Sequence, residues 1–442
     1  MSATDPRGGL GADDILALRR QRLGPSLSLS YRTPLHIVRG HGAYLYDPHG
    51  RAYLDCVNNV AHVGHAHPRV AEAGAAQMRV LNTNTRYLHE NVVRYAERLT
   101  ALLPDGLEVC YFTNSGSEAN ELALRLGRAA TGRPDVATVD IAYHGNTQRL
   151  VEISPYKFNG PGGAGQPDDV QVVPLPDGYR GRHRGDPAEV GPTYLAEAVA
   201  VLRESAAAGH PAGALIAEAI PSVAGQIVPP AGWLAGLFDV GRAVGAATIA
   251  DEVQVGFGRV GSDTWAFRAQ GARPDIVTMG KPIGNGHPLG AVVTTRPIAD
   301  AFNNGMEYFN TFGGNPVSAA IGLAVLDVIE DEGLQDHARL VGERLVNGLR
   351  EIAVRHEPIG DVRGRGLFIG FELVRDRATR EPDATLAEEL VNRAAERGVL
   401  LSIDGPDHDV IKIKPPLVFS AADGDRLVET VDAVLSELAT ER

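Results

Sequence analysis

An α/β fold, with a large doubly covered sheet and a smaller second domain, follows from three features of the sequence. The middle of the chain alternates apolar strand-like runs with helical segments, which implies parallel βαβ units. The last part changes character, to long helices followed by short strands. The length of 442 residues exceeds the size at which one hydrophobic core stops growing, so more than one domain is expected.

The elements can be justified in chain order. Residues 1–60 read as an N-terminal helix and hairpin. Ile15, Leu16, Leu18 and Leu23 have the spacing of a short amphipathic helix. HIVRGHGAYLYDPHGRAYLDC reads as a hairpin that turns at Asp47, Pro48 and Gly50. Residues 61–315 form the expected large domain. Its strands are EVCYFT, VATVD, GALIAEA and ATIADEV; its helices include SEANELALRLGRAA, PTYLAEAVAVLRESAAAG and WLAGLFDVGRAVG. PYKFNGPGGAGQPDD, rich in Gly and Pro, reads as a surface loop. Residues 316–442 read as a small α+β domain that opens with two long helices, continues through the strands GLFIGFEL and DVIKIK, and packs with the N-terminal hairpin.

Composition narrows the functional classes. Charged residues are 22% of the chain and the hydrophobic set 44%, an ordinary globular balance. A formal net charge of -13 argues against nucleic acid or an anionic membrane as the main partner. Cys56 and Cys110 sit in apolar runs without ligand spacing and read as buried free thiols. MSATDPRGGL lacks the basic start and apolar run of a secretory signal, and no stretch reaches membrane-spanning length, so a cytoplasmic enzyme is expected. His62, His65 and His67 lie close together, yet no acidic or thiol ligand accompanies them, and no metal site is expected.

Four segments carry the chemistry. In TNSGSEAN, Ser115, Gly116 and Ser117 would set backbone N–H groups and hydroxyls at a helix N-terminus, where a phosphate is favoured. Tyr143, in Tyr143-His144-Gly145, ends a strand and could stack on a planar ring. In IADEVQVGFGRVG, Asp251 ends an apolar strand, where a carboxylate is costly unless paired. A protonated pyridine nitrogen is a suitable partner, and Gln254 could bond the ring's phenolic oxygen. In MGKPIGNGHPLG, Lys281 follows an apolar strand among small residues rather than on a polar helix face, as a Schiff-base lysine needs.

Phosphate cup, ring stacker, pyridine-nitrogen acid and lysine thus follow one another on successive strand ends. In that order, and above all in ADEVQVGFGRVG followed by GKP, the chain resembles the class III aminotransferase-type enzymes of fold type I. The resemblance covers nearly the whole length. It implies pyridoxal 5'-phosphate (PLP) as cofactor, bound as a Schiff base to Lys281. It implies a mostly parallel, seven-stranded-type sheet sandwiched by helices. It implies a homodimer with its active sites at the interface. Thr311, in FNTFGGNP, would then reach the PLP phosphate of the neighbouring subunit; Glu218, in IAEA, would lie behind the cofactor, and Val253 would line it.

The same family holds several reactions, and departures from its pattern discriminate among them. Transaminases of the family read AEPxQGEAG after the glutamate strand, and the second Glu of that motif pairs with an Arg that receives the keto-acid carboxylate. Here the run is AEAIPSVAG, with Val223 in place of that Glu, and Lys412 in DVIKIKPP stands at the Arg position. Lysine lacks the planar fork that grips a carboxylate. CVNNVAHVGHAHP, LNTNTRYLHENVVRYA, ISPYKF, GKPIGNGHP and LLSIDGP resemble the phospho-lyase subgroup that acts on ethanolamine phosphate and 5-phosphohydroxylysine.

That resemblance implies a PLP-dependent lyase that eliminates phosphate from O-phosphoethanolamine to give acetaldehyde, ammonia and phosphate. Lys281 would act as general base, with Asp251 and Tyr143 beside the ring. Arg86 is the first candidate for the substrate phosphate, followed by Lys412, Lys157 and Arg19; Asn59 and Tyr87 would line the same pocket. The alternatives are a class III aminotransferase for ω-amines or for alanine and glyoxylate, and a phospho-lyase for 5-phosphohydroxylysine.

Overall fold

A computed structural model describes residues 9–441; the greater part of MSATDPRGGL lies outside the described residues. The N-terminal strands β1 (Arg39–His41), β2 (Tyr44–Tyr46) and β3 (Ala52–Asp55) pair as antiparallel neighbours. The large sheet then uses β4 (Leu107–Thr113), β5 (Val136–Val139), β6 (Val170–Val173), β7 (Ala214–Glu218), β8 (Ala247–Asp251), β9 (Ile276–Met279) and β10 (Gly290–Thr295). Its seven strands run in the order β4-β10-β9-β8-β7-β5-β6. Only β10 runs against its neighbours β4 and β9; the other pairings are parallel.

The strands read as unbroken apolar runs because both faces of this sheet are buried. Alternate residues serve opposite cores. Leu215 and Ala217 face one core with Trp233, Phe238 and Trp265, whereas Ala214 and Ile216 face the other with Leu122, Leu126 and Ile298. The parallel strands all end on the same side, and that crevice is where an open α/β sheet places its ligand. Neither β6 nor β10 was recognised in the sequence. Of PYKFNGPGGAGQPDD, the first four residues form a short helix, Pro155–Phe158, whose Phe158 is buried.

The C-terminal part contributes β11 (Ile359–Arg365), β12 (Phe368–Asp376), β13 (Glu381–Pro382), β14 (Val399–Leu400), β15 (Ser402–Asp404) and β16 (Val410–Ile413). Strands β11-β12-β16-β15 form an antiparallel sheet, and β14 pairs with β3, so the N-terminal hairpin joins a strand from the far end of the chain. The helix Pro316–Asp331 serves two cores: Ala319 and Leu326 pack with the large sheet, Ile321, Val325 and Val328 with the small one.

The expected N-terminal helix forms over Ala12–Arg22, but none of its residues is buried, so its own chain does not cover the apolar face. Cys56 is buried, Cys110 lies on β4, and both are free thiols. Among the described residues, no helix is long and apolar enough to cross a membrane.

Candidate active site

The ends of β4, β5, β7, β8 and β9 enclose a cavity of about 430 Å³. Ser115, Gly116, Ser117, Tyr143, Glu218, Asp251, Val253, Gln254 and Lys281 line it, together with Asn120, His144, Gly145 and Asn146. The sequence thus anticipated nine of the thirteen lining residues.

The cup begins where β4 turns into the helix Gly116–Thr131. Ser115 caps that helix, its Oγ accepting the Glu118 N–H at 3.1 Å. The Ser115 hydroxyl is therefore already engaged. Ser117 exchanges hydrogen bonds with Asn146, whose side-chain Oδ1 is 3.0 Å away and whose N–H donates at 3.2 Å. Glycine is required at 116 and 280 by close approach. A Cβ on Gly116 would meet Val253 at 2.7 Å, and one on Gly280 would meet the Gly116 Cα at 2.9 Å. The cup is thereby pressed against the segments that carry Asp251 and Lys281.

Two carboxylates end adjacent strands in register, Glu218 opposite Asp251. Asp251 Oδ2 accepts from Asn120 Nδ2 and faces His144 Nδ1, both at 2.8 Å; Oδ1 accepts the Val253 N–H at 3.1 Å. The carboxylate thus caps the next turn and also faces the cavity. Glu218 is poorly served. Its Oε1 accepts only the Ser222 N–H, at 3.3 Å, and the buried Oε2 has no protein donor. Burial, and then Asp251, raise Glu218 to about 8. Lys281 is lowered by its burial, with Asp251 and Glu218 opposing and Lys412 adding to the shift.

Gln254 accepts a hydrogen bond from Asn59 Nδ2 at 2.5 Å, so Asn59 orients a residue of the cavity. The Tyr143 ring meets Tyr156 edge-on at 6.4 Å, and the Lys157 ammonium lies 5.5 Å from the Tyr143 centroid. Lys157 borders a neighbouring cavity of about 410 Å³ with Asp140 and His408.

The remaining basic candidates separate. Lys412 donates to Asp404 Oδ1 at 2.9 Å. Lys414, which the sequence reading passed over, donates to Ser222 Oγ at 2.8 Å and to Asp404 Oδ2 at 3.3 Å. Gln226 Nε2 completes the cluster, 2.8 Å from Asp404 Oδ2. Ser222 ties the cluster to the cavity wall: its N–H donates to the cavity-lining Glu218 at 3.3 Å and its Oγ accepts from Lys414 at 2.8 Å. Val223 carries no carboxylate, yet the acid partner of Lys412 is at hand: Gly405 N–H donates to Val223 O at 2.9 Å, and Asp404 precedes it. Lys412 thus has a carboxylate partner, Asp404 on β15, in place of the Glu that Val223 replaces.

Arg86, the first choice for the substrate phosphate, is not in the cavity of its own chain. It pairs with Glu307 at 3.1 Å and lies over the Phe309 ring at 4.0 Å, on the surface. Tyr87 is exposed, and so is Thr311. The segments of all three run outside the strand-end crevice of their own chain; for Thr311 that is the position expected of a residue that reaches a neighbouring subunit. Arg19 is half-buried on the N-terminal helix and bonds Leu27 O at 3.1 Å. His62, His65 and His67 have three different partners, Phe257 O, Asp55 and Glu332, and no group of three metal-ligand side chains occurs among the described residues.

The sequence held faint signals for what it missed. Lys414 follows Lys412 by two residues, the repeat of one strand face. Asn120 and His144 are polar residues inside apolar segments, where a partner is obligatory.

Comparison with known proteins agrees with this geometry. The family description Aminotransferase class-III matches residues 28–435. A Drosophila melanogaster protein named alanine–glyoxylate aminotransferase 2-like is 50% identical over 97% of this chain and 89% of its own length. A Caenorhabditis elegans protein named ethanolamine-phosphate phospho-lyase homolog 1 is 41% identical over 96% of this chain and 92% of its own. The solved structure of a phospholyase from Arthrobacter in complex with phosphoethanolamine superposes with a TM-score of 0.91, at 42% identity, covering 96% of this chain and 99% of that one.

The family, with its PLP-bound solved neighbours, implies pyridoxal 5'-phosphate as the cofactor. The residues present suit it. Asp251 is a buried carboxylate that faces the cavity, Glu218 Oε2 is buried without a donor, and the first turn of a sixteen-residue helix opens on the cup.

Proposed function

The chain belongs to the class-III aminotransferase family, and we propose that it works there as a phospho-lyase, releasing acetaldehyde, ammonia and inorganic phosphate from O-phosphoethanolamine and water. The observation that carries this reading is the cluster of Lys412, Lys414 and Asp404 beside Lys281. It offers ammonium groups, suited to a compact dianion, where a guanidinium fork would suit a planar carboxylate. The similarity to the Arthrobacter phospholyase supports it.

Each side chain has a task in this reading. Bound PLP supplies an electron sink for the bond pair left at the carbon bearing the amine. Lys281 removes the proton from that carbon; its lowered proton affinity leaves more of it in the basic form. Asp251, fixed by Asn120, His144 and the Val253 N–H, holds negative charge at the ring-nitrogen end. Tyr143, which lines the cavity, would stack on the cofactor ring. Lys412 and Lys414 hold the phosphate as its bond to the neighbouring carbon breaks.

We place the active unit as a homodimer. Leu88 at 104%, Val80 at 80% and Met306 at 73% exposure lie in the segments around Arg86 and Thr311, and an apolar surface of this kind is suited to a second copy. In that assembly Arg86, Tyr87 and Thr311 would serve the partner's site. The proposed compartment is the cytoplasm.

A second reading, an aminotransferase acting on alanine and glyoxylate, is favoured by the 50% identity to the Drosophila protein. Incubation with phosphoethanolamine in the absence of any keto acid separates the two. Phosphate and acetaldehyde released in equal amounts over many turnovers support the lyase. Release that stops at one equivalent, or that requires pyruvate, refutes it. Running 5-phosphohydroxylysine in parallel identifies the preferred amine.

A further inference from the structure

The two ammonium groups beside Lys281 are not equivalent. Lys414 is buried and gives two of its three N–H donors to Ser222 and Asp404. Lys412 is partly exposed and gives one donor to Asp404, which leaves two free for a ligand. One carboxylate therefore ties both lysines. Asp404 is itself held by Gln226, a non-glycine residue kept in the left-handed region at φ 55, which is uncommon backbone for a side chain of this kind.

The charge count matters for turnover. Two lysines without Asp404 would present two positive charges to a dianion in a sheltered site, where attraction is strong and release slow. With Asp404 the cluster carries one net positive charge. We propose that Asp404 is a resident counter-anion that sets how tightly this site holds a phosphate group: it occupies both lysines between turnovers, yields Lys412 to the substrate, and takes it back as inorganic phosphate leaves. This rests on the reading that the substrate bears a phosphate. Asp404 acts through Lys412 and Lys414, so it is a positioning residue rather than a catalytic one.

The surroundings fix how the cluster should respond to pH. Lys414 is faced by Asp404 from β15, by Lys412 from β16, by Lys281 from the turn after β9 and by Glu218 from the end of β7. Burial pushes Lys414 down to about 8, Asp404 opposes this, and Lys412 and Lys281 add to it. Burial alone would raise Asp404; Lys414 and Lys412 outweigh it and hold the carboxyl below its ordinary value. Removing the carboxylate takes away the group that favours charged Lys414, so its titration moves to lower pH.

The probe is sulfate, a dianion throughout the range, titrated calorimetrically into the PLP-loaded enzyme between pH 6 and 9. Asp404→Asn is expected to bind sulfate about 10-fold more tightly at pH 6, one unit of negative charge having been removed beside the lysines. Its affinity should begin to fall at a lower pH than the wild type's. With substrate, both KM and kcat should drop, as tighter product binding requires, and Asp404→Glu should restore both. If the carboxylate merely props up the fold, Asp404→Asn binds sulfate more weakly or equally at pH 6 and its pH midpoint stays put; either result overturns the proposal. So does sulfate affinity that Lys412→Met leaves intact. Were the sulfate behaviour as expected while the wild type failed to cleave phosphoethanolamine, the lyase reading would fall and the counter-anion stand. A wild-type lyase whose Asp404→Asn variant binds sulfate no tighter does the reverse: the lyase stands and the counter-anion falls.

Discussion

Two clusters of ionisable residues lie close together, one at the strand ends of the large sheet and one on the small sheet, linked through Ser222. The large sheet ends in two carboxylates, Glu218 and Asp251, with Lys281 as its one ammonium. The small sheet brings Lys412 and Lys414, bridged by Asp404. In the phospho-lyase reading, a molecule with an amine at one end and an anion at the other is oriented by this arrangement. That reading assigns amine chemistry to one sheet and recognition of the leaving group to the other.

That division can be broken one half at a time. Lys281→Ala should abolish proton removal from every amine, lowering turnover by about 10⁴-fold, the upper range for a general base. Exchange of the substrate's carbon-bound proton with deuterated solvent measures this step directly. Asp251→Asn should slow the same exchange by about 10²–10³-fold, for phosphorylated and plain amines alike. Lys412→Met is expected to discriminate. It should raise KM for phosphoethanolamine about 10-fold or more, as loss of a hydrogen bond to a charged group does, and leave exchange with a simple alkylamine unchanged. Equal loss on both substrates would show that the two halves are not separable. The smallest effect is reserved for Asn120→Ala, which removes one of three donors to Asp251 and should slow exchange about 5-fold.

The two halves also differed in how legible they were. Asp251, Lys281, Tyr143 and the Ser115–Ser117 cup could be read because each ends a strand inside a short contiguous motif, and strand ends converge in this fold. The Lys412–Asp404–Lys414 cluster joins residues from β15, β16 and the Ser222–Gln226 turn, which no local pattern ties together. Arg86 shows the converse: its segment is distinctive in sequence but lies on the surface of a single chain, stacked on Phe309. Among the strands, β6 and β10 went unrecognised because β6 is four residues long after a Gly- and Pro-rich loop, and β10 returns directly from the lysine turn. The N-terminal helix was visible from its spacing, but the spacing could not say that its own chain leaves it uncovered.

The ribbon formed by β15 and β16 has a consequence for how such an enzyme can diversify. Asp404, Lys412 and Lys414 fall within eleven consecutive positions, 404–414, with no residue of the proton-transfer machinery among them. If the ribbon holds the anion as proposed, substitutions confined to it and to the 222–226 turn alter which anion is accepted and how soon it departs, while the inherited amine chemistry passes unchanged to the descendant. A mutational library restricted to those two segments tests whether they decide the fate of the amine's neighbouring group.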